Sequence, residues 1–140
     1  MNSTRHHPAG ILLVDDDTEL LKALAKLLET EGYDVLDLPS CDAAMKYIQR
    51  SSQRFDLAIT DVSMTGMSGI EFLREFKERY PAVPVVIITA FGSWGQYKDA
   101  LKYGAFDYIN KPLDIAEFLT TVRRALGQNG ASAPNILAPA

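Results

Sequence analysis

Three short runs, Ile11-Leu12-Leu13-Val14, Leu57-Ala58-Ile59-Thr60 and Val85-Val86-Ile87-Ile88, are almost wholly apolar and each gives way to a polar side chain. A strand that is apolar on both faces has to be covered on both, which is the condition of a central parallel strand rather than a half-solvated antiparallel one. Parallel neighbours cannot be joined by a tight turn and need a crossover of a dozen or more residues. The stretches between these runs carry apolar residues at helical spacing, so helical crossovers are available each time. Alternating strand and helix is therefore the fold class that this chain can satisfy.

Along the chain, the first strand is Ile11 to Val14, and the helix after it places Leu20, Leu24, Leu27 and Leu28 inward, with Gly32 as its stop. The second strand, Tyr33 to Leu38, alternates polar and apolar residues, as at a sheet edge. Ser40 caps a second helix reaching about Arg50, with Ala44, Met45 and Ile48 inward. The third strand, from Leu57, ends at Asp61, and Ser68 with Glu71 forms a capping box for a third helix that buries Ile70, Leu73 and Phe76. The fourth strand, from Val85, ends at Thr89, and a fourth helix spans about Ser93 to Tyr103, weakened at its start by Gly92 and Gly95. The fifth strand is Phe106 to Ile109, followed by Lys111-Pro112 and a fifth helix capped by Asp114, with Phe118, Leu119, Val122 and Leu126 on its core face. Five strands and five helices in strict alternation predict a doubly wound five-stranded parallel sheet of order 2-1-3-4-5, flavodoxin-like in topology. Residues 1–9 read as a disordered N-terminus, 10–127 as the one folded domain, and 128–140, rich in Gly, Ala, Pro and Ser, as a flexible tail or linker.

Ligands of such sheets bind outside the carboxyl ends of the strands. Here those ends carry Asp15-Asp16-Asp17, Asp61, Thr89 and, just past the fifth strand, Lys111. In the predicted order all four strands are neighbours, so these side chains crowd one rim. Carboxylates so close repel one another, and a hard divalent cation relieves the repulsion. Magnesium suits the site because it needs only one or two direct carboxylates and keeps several waters. Asp16 and Asp61 are the natural direct ligands, Asp15 lies close or acts through water, and the backbone carbonyl of Ser63 completes the set. Thr89 and Lys111 then face Asp61 from the other side, and a hydroxyl and an ammonium opposite a carboxylate and a metal form a phosphoryl pocket. Asp61, between metal and cation, is the candidate nucleophile.

Each residue alone has a plainer reading. The aspartate run serves equally well as a solvated loop and helix cap, with Asp17 or Thr18 as the cap, and Lys111 alone is an ordinary surface lysine. The specificity lies in the ordered combination at four strand ends.

With these residues in place, the chain resembles the receiver domains of two-component response regulators from about Ile11 to Leu126, through ILLVDDD, LAITDVSMTGMSGIEFL, VVIITA and GAFDYINKPLD. The resemblance implies that Asp15 and Asp16 bind magnesium, that Asp61 accepts the phosphoryl group, and that Lys111 pairs with it. It further implies that Thr89 is the switch hydroxyl, Tyr108 the rotating aromatic, Ala90 the small residue leaving room for the phosphoryl group, and Lys111-Pro112 a cis peptide. The phosphoryl group would come from a sensor histidine kinase or a phosphotransfer protein, and phosphorylation would remodel the face made by the fourth helix, fifth strand and fifth helix. That face would meet an output domain or a second copy. Trp94, Tyr97 and Leu101 stand at helical spacing on the fourth helix, and either one or two of them simply pack on the core or some are exposed as a partner surface. Such a protein is a switch that catalyses its own phosphorylation and dephosphorylation, not an enzyme acting on a separate substrate. Two departures stand in the loop after the acceptor: Thr65 where many relatives have proline, and Ser68 where many have aspartate.

Other readings fit less well. A haloacid-dehalogenase-like phosphatase places its nucleophile after the first strand and carries a cap, for which 140 residues leave no room. A flavodoxin-like cofactor binder needs a Ser/Thr/Gly-rich loop where this chain has three aspartates that would repel phosphate. A degenerate receiver serving only as a docking module would not need Asp15, Asp16, Asp61, Thr89 and Lys111 together. The net charge of −4 opposes direct contact with nucleic acid, which requires a basic face. No apolar run approaches the roughly 20 residues of a membrane span, and the single cysteine, Cys41, is simplest to place in a reducing cytoplasm as an ordinary structural residue.

Phe91, two residues past Thr89, is bulky enough to shield an acyl phosphate from water. The Phe91→Ala variant is expected to lose phosphate faster than wild type once the donor is removed, and an unchanged rate would sink the shielding role.

Overall fold

The computed structural model describes residues 8–62, 66–90 and 94–128, the side chain of Trp94 excepted. The elements run β1 (Gly10–Val14), α1 (Thr18–Thr30), β2 (Asp34–Leu38), α2 (Cys41–Arg50), β3 (Leu57–Asp61), α3 (Gly69–Arg79), β4 (Val85–Thr89), α4 (Trp94–Lys102), β5 (Asp107–Asn110) and α5 (Ile115–Ala125). The strands form one sheet of order β2-β1-β3-β4-β5, and every pair is parallel. This is the expected topology, and the alternating β2 is indeed an edge strand with its side chains only half-buried.

The continuous apolar runs conceal a two-residue alternation. Leu12, Val14, Ala58, Val85 and Ile87 face one side, where they pack with Ala44, Met45 and Ile48 of α2, Phe72, Leu73 and Phe76 of α3 and Ala100 of α4. Ile11, Leu13, Leu57, Ile59, Val86, Ile88 and Ile109 face the other, against Leu21, Leu24, Ala25 and Leu28 of α1 and Phe118 and Val122 of α5. Both faces are dry, which is why neither could be polar in the sequence.

Helix starts follow their caps. Asp17, Ser40 and Asp114 each accept a hydrogen bond from a first-turn amide, and Ser68 with Glu71 closes both halves of a capping box. The apolar stripes are rotated from the expected ones. In α1 the buried residues include Leu21 and Ala25, while Leu20 and Leu27 sit half-buried at the margin. In α3 Phe72 is fully buried and Ile70 is marginal, and in α5 Thr121 is buried while Leu119 and Leu126 flank the core. The crossover geometry sets this rotation, and leucines on both sides of a stripe satisfy the same spacing. The fourth helix ends one residue earlier than expected, at Lys102, and its expected start at Ser93 lies outside the described residues; its Leu101 is 47% exposed while Tyr97 is half-buried. No helix among the described residues is long and apolar enough to cross a membrane.

Truncating Phe72 to alanine should cost about 4 kcal/mol by urea unfolding, because a fully buried ring leaves a cavity. Ile70→Ala should cost only about 1 kcal/mol, since its neighbours are partly solvent.

Candidate functional site

Register brings the polar strand ends to one rim. Val14 pairs with Thr60, Asp61 with Ile88, and Thr89 with Asn110, so Asp15, Asp61, Thr89 and Lys111 follow one another across four adjacent strands. Asp15 is fully buried, Asp61 almost so, and Asp16 stands exposed at the edge. Each of the three offers a carboxylate oxygen within 4.8 Å of the others.

The backbone arranges this approach. Asp15 Oδ1 accepts from the amide of Asp17 at 2.9 Å, and Asp17 in turn accepts from Leu20 N to start α1. The turn that begins the helix therefore also orients the buried carboxylate. Lys111 enters from β5 and donates through Nζ to Asp15 Oδ2 at 2.9 Å and to Asp61 Oδ2 at 2.8 Å. The sequence reading placed Lys111 against Asp61 alone; its four-carbon stem reaches across to the buried Asp15 as well. Its Lys111-Pro112 peptide is cis, as the resemblance implies.

Electrostatics follow from burial. Burial pushes the Asp15 carboxyl above the usual carboxylate range, against the opposing pull of the Asp17 amide and Lys111, and the neighbouring Asp61 charge adds to the rise. For Lys111, burial acts to lower the pKa, but its bonds and charge attraction to Asp61 and Asp15 outweigh it and raise the net value. The lysine therefore stays cationic through the neutral range. Three carboxylates facing one ammonium leave a surplus of two negative charges at the rim. An all-oxygen donor set with that surplus fits a hard divalent cation.

The remaining predicted residues fall around this centre. Thr89 is fully buried at the end of β4, and Ala90 after it is exposed. Tyr108 packs edge-on against Tyr97 of α4, ring centroids 5.4 Å apart. Its hydroxyl is enclosed and has no hydrogen-bond partner among the described residues. Burial raises the Tyr108 pKa and the Asp61 charge adds to it, so the ring lies within electrical reach of Asp61. Ser63, Thr65 and Phe91 lie outside the described residues. Cys41, next to a helix start, holds no reactive thiolate: burial pushes its thiol up to about 12.

One residue escaped the sequence reading. Gly69, the first residue of α3, packs so closely on β3 that a Cβ there would overlap the Asp61 carbonyl and come within 2.7 Å of Val62 Cα. Its amide donates to Val62 O at 3.1 Å. Only glycine lets the helix start lie against the Asp61 peptide. The signal was present as a glycine directly after the Ser68 cap.

Removing the cation tests the electrostatics. Lys111→Met leaves two buried carboxylates without their partner and should cost about 3 kcal/mol near neutral pH by chemical unfolding. A buried acid with a raised folded-state pKa destabilises the fold when ionised, and the penalty disappears as pH falls through that pKa. The deficit of the variant should therefore shrink as pH is lowered and Asp15 takes up a proton.

Comparison with known proteins agrees with this site. Residues 11–123 match the family model described as the response regulator receiver domain. The chain is 39% identical over 121 residues to the response regulator protein FleR of Pseudomonas aeruginosa, covering 86% of this chain and 25% of that protein. It is 41% identical over 121 residues to the transcriptional regulatory protein ZraR of Escherichia coli K12, covering 86% of this chain and 27% of that one. The chain thus spans about a quarter of the length of these curated relatives. Among solved structures it superimposes on the beryllofluoride-activated NtrC4 receiver domain dimer with a TM-score of 0.78 and 31% identity, covering 85% of this chain and 97% of the other. The sheet order, the acidic rim with its bridging lysine, and these likenesses together make the chain a member of the response regulator receiver domain family.

Proposed function

We propose that this receiver domain is phosphorylated on Asp61 with the help of magnesium, and that the change in charge there switches the α4–β5–α5 face. The observation that carries the reading is a nearly buried Asp61 carboxylate held by Lys111 beside two further carboxylates.

Asp15, Asp16 and Asp61, joined by the Ser63 carbonyl, would hold the magnesium ion. When bound, the ion supplies positive charge that offsets the carboxylates and the oxygens of an incoming phosphoryl group. An Asp61 carboxylate oxygen attacks phosphorus in line, while the bond to the donor's histidine nitrogen breaks and its electron pair stays on that nitrogen. Lys111, cationic throughout, moves from pairing carboxylates to pairing the new phosphoryl oxygens. The walls of the pocket are packed side chains and strand backbone, so little reorganisation is needed as charge passes from donor to acceptor. Attack by water reverses the modification, so the domain catalyses both halves of its own cycle and is not an enzyme with a separate substrate.

The readout begins at Thr89, whose hydroxyl sits at the end of β4 beside this pocket. Drawn toward the phosphoryl group, it vacates space that Tyr108 can enter, and the enclosed Tyr108 hydroxyl loses nothing by moving because it has no bond to break among the described residues. Tyr97 lies edge-on to Tyr108, so rotation of that ring disturbs α4. Leu101 of α4, Phe106 before β5 and Ile115 of α5 are exposed large apolar residues. They give this face an apolar character that suits an output domain or a second copy of the chain. The NtrC4 neighbour is itself a receiver dimer. The donor is a sensor histidine kinase or a phosphotransfer protein, and the setting is the cytoplasm. The domain itself makes no direct contact with nucleic acid, in keeping with its net charge of −4.

The test is intact mass after incubation with acetyl phosphate, with and without magnesium, beside an Asp61→Asn control. A magnesium-dependent gain of one phosphoryl group that the control lacks is expected. No gain in folded protein, tried also with beryllofluoride, would favour a docking module that works without phosphorylation.

A further inference from the structure

The first two residues of α2 each make a contact that leads on to the Asp61 peptide, although neither belongs to the acidic rim. Cys41 is fully buried and its Sγ lies 3.4 Å from Thr60 Oγ1. The Thr60 hydroxyl in turn donates to the carbonyl of Asp61 at 3.0 Å. Asp42 is exposed, yet its Oδ2 accepts from the amide of Met67 at 3.1 Å, 25 residues along the chain. Met67 leads through the Ser68 cap to Gly69, the residue pressed against the Asp61 peptide. Gly66 has φ +84°, and a Cβ on it would overlap the Asp42 carboxylate. The chain at 66–67 therefore closes on Asp42 as tightly as a glycine permits.

We infer that Asp42 is a positioning residue for the phosphoacceptor, bracing the segment from Gly66 to Gly69 so that the Asp61 peptide, and with it the carboxylate, is held where a cation can bind. The brace has two arms from one helix start. Cys41 fixes the carbonyl of Asp61 through Thr60, and Asp42 fixes the returning chain that leads to Gly69 against the same carbonyl. Asp42 works through a hydrogen bond to a neutral amide, so its acceptor oxygen matters more than its charge. An exposed aspartate in a first helical turn would otherwise only favour the helix dipole, a role that needs no contact with Met67. Partners bonded directly to a metal ligand cost about 10- to 100-fold in metal affinity when removed, and Asp42, acting one step further out, belongs at the low end of that range.

The inference rests on the metal reading for one of its two readouts and is independent of it for the other. The experiment compares wild type, Asp42→Ala and Asp42→Asn, the last keeping an acceptor oxygen without the charge. Amide hydrogen exchange at Met67 is followed by NMR in metal-free protein, and magnesium affinity is followed by titration calorimetry. In the Asp42→Ala variant, Met67 should exchange about fivefold faster and magnesium should bind about tenfold more weakly. Asp42→Asn should restore both toward wild type. Asp42 is exposed and alanine suits a helix, so the variant should fold. If Asp42→Asn is as impaired as Asp42→Ala, the charge and not the bond matters and the inference fails. It fails also if Asp42→Ala matches wild type. If wild type binds no magnesium while Met67 exchange still rises in Asp42→Ala and recovers in Asp42→Asn, the metal reading falls and the brace stands.

Discussion

Lys111 bridging Asp15 and Asp61 is the contact on which the rest of the rim depends. Two carboxylates buried beside each other would ordinarily protonate or push apart. One ammonium, held between them by two hydrogen bonds of ordinary length, lets both remain at the strand ends. It offsets only part of the charge, and the remainder suits the rim to a hard cation and to the transfer chemistry proposed at Asp61. A site compensated in full would be stable and inert; this one is kept electrically incomplete.

The sheet makes that arrangement possible by geometry. Because every strand is parallel, all the C-terminal ends lie on one side, and the register sets Asp15 beside Asp61 and Thr89 beside Asn110, one residue before Lys111. The core beneath is dry on both faces, so the strands have little freedom to slide, and the polar groups they present are fixed to the same degree. The helix starts then add a second level of control. Asp17 orients Asp15 while capping α1, Gly69 lies on the Asp61 peptide while opening α3, and from α2 Cys41 meets the Thr60 hydroxyl that donates to the Asp61 carbonyl while Asp42 holds the Met67 amide. Three helices that cover the sheet thereby also tune its rim.

Much of this could be read from the residues in order. The apolar runs gave the strands, the polar residues ending them gave the site, and Ser40, Ser68 and Asp114 marked helix starts at the right places. Where reading failed, several residues satisfied one pattern. Leu20 and Leu21, or Ile70 and Phe72, compete for a helix face, and only the packing of that helix on the sheet decides which is buried. Tyr108 was recognisable by resemblance, but its enclosed hydroxyl and its edge-on contact with Tyr97 depend on where α4 lies.

The sequence by itself determined the alternation of elements and the identity of the polar residues that end the strands, because periodicity and strand-end polarity are local properties of the chain, and the sheet order came with the family's pattern of those residues. Tertiary structure alone decided that Lys111 serves two carboxylates, that Gly69 must be glycine, and that Asp42 touches Met67. These are distances between residues 25 to 96 positions apart, or between a helix start and the strand that precedes it. Such distances arise only when the crossovers have closed and the backbones meet, and no spacing along the chain encodes them.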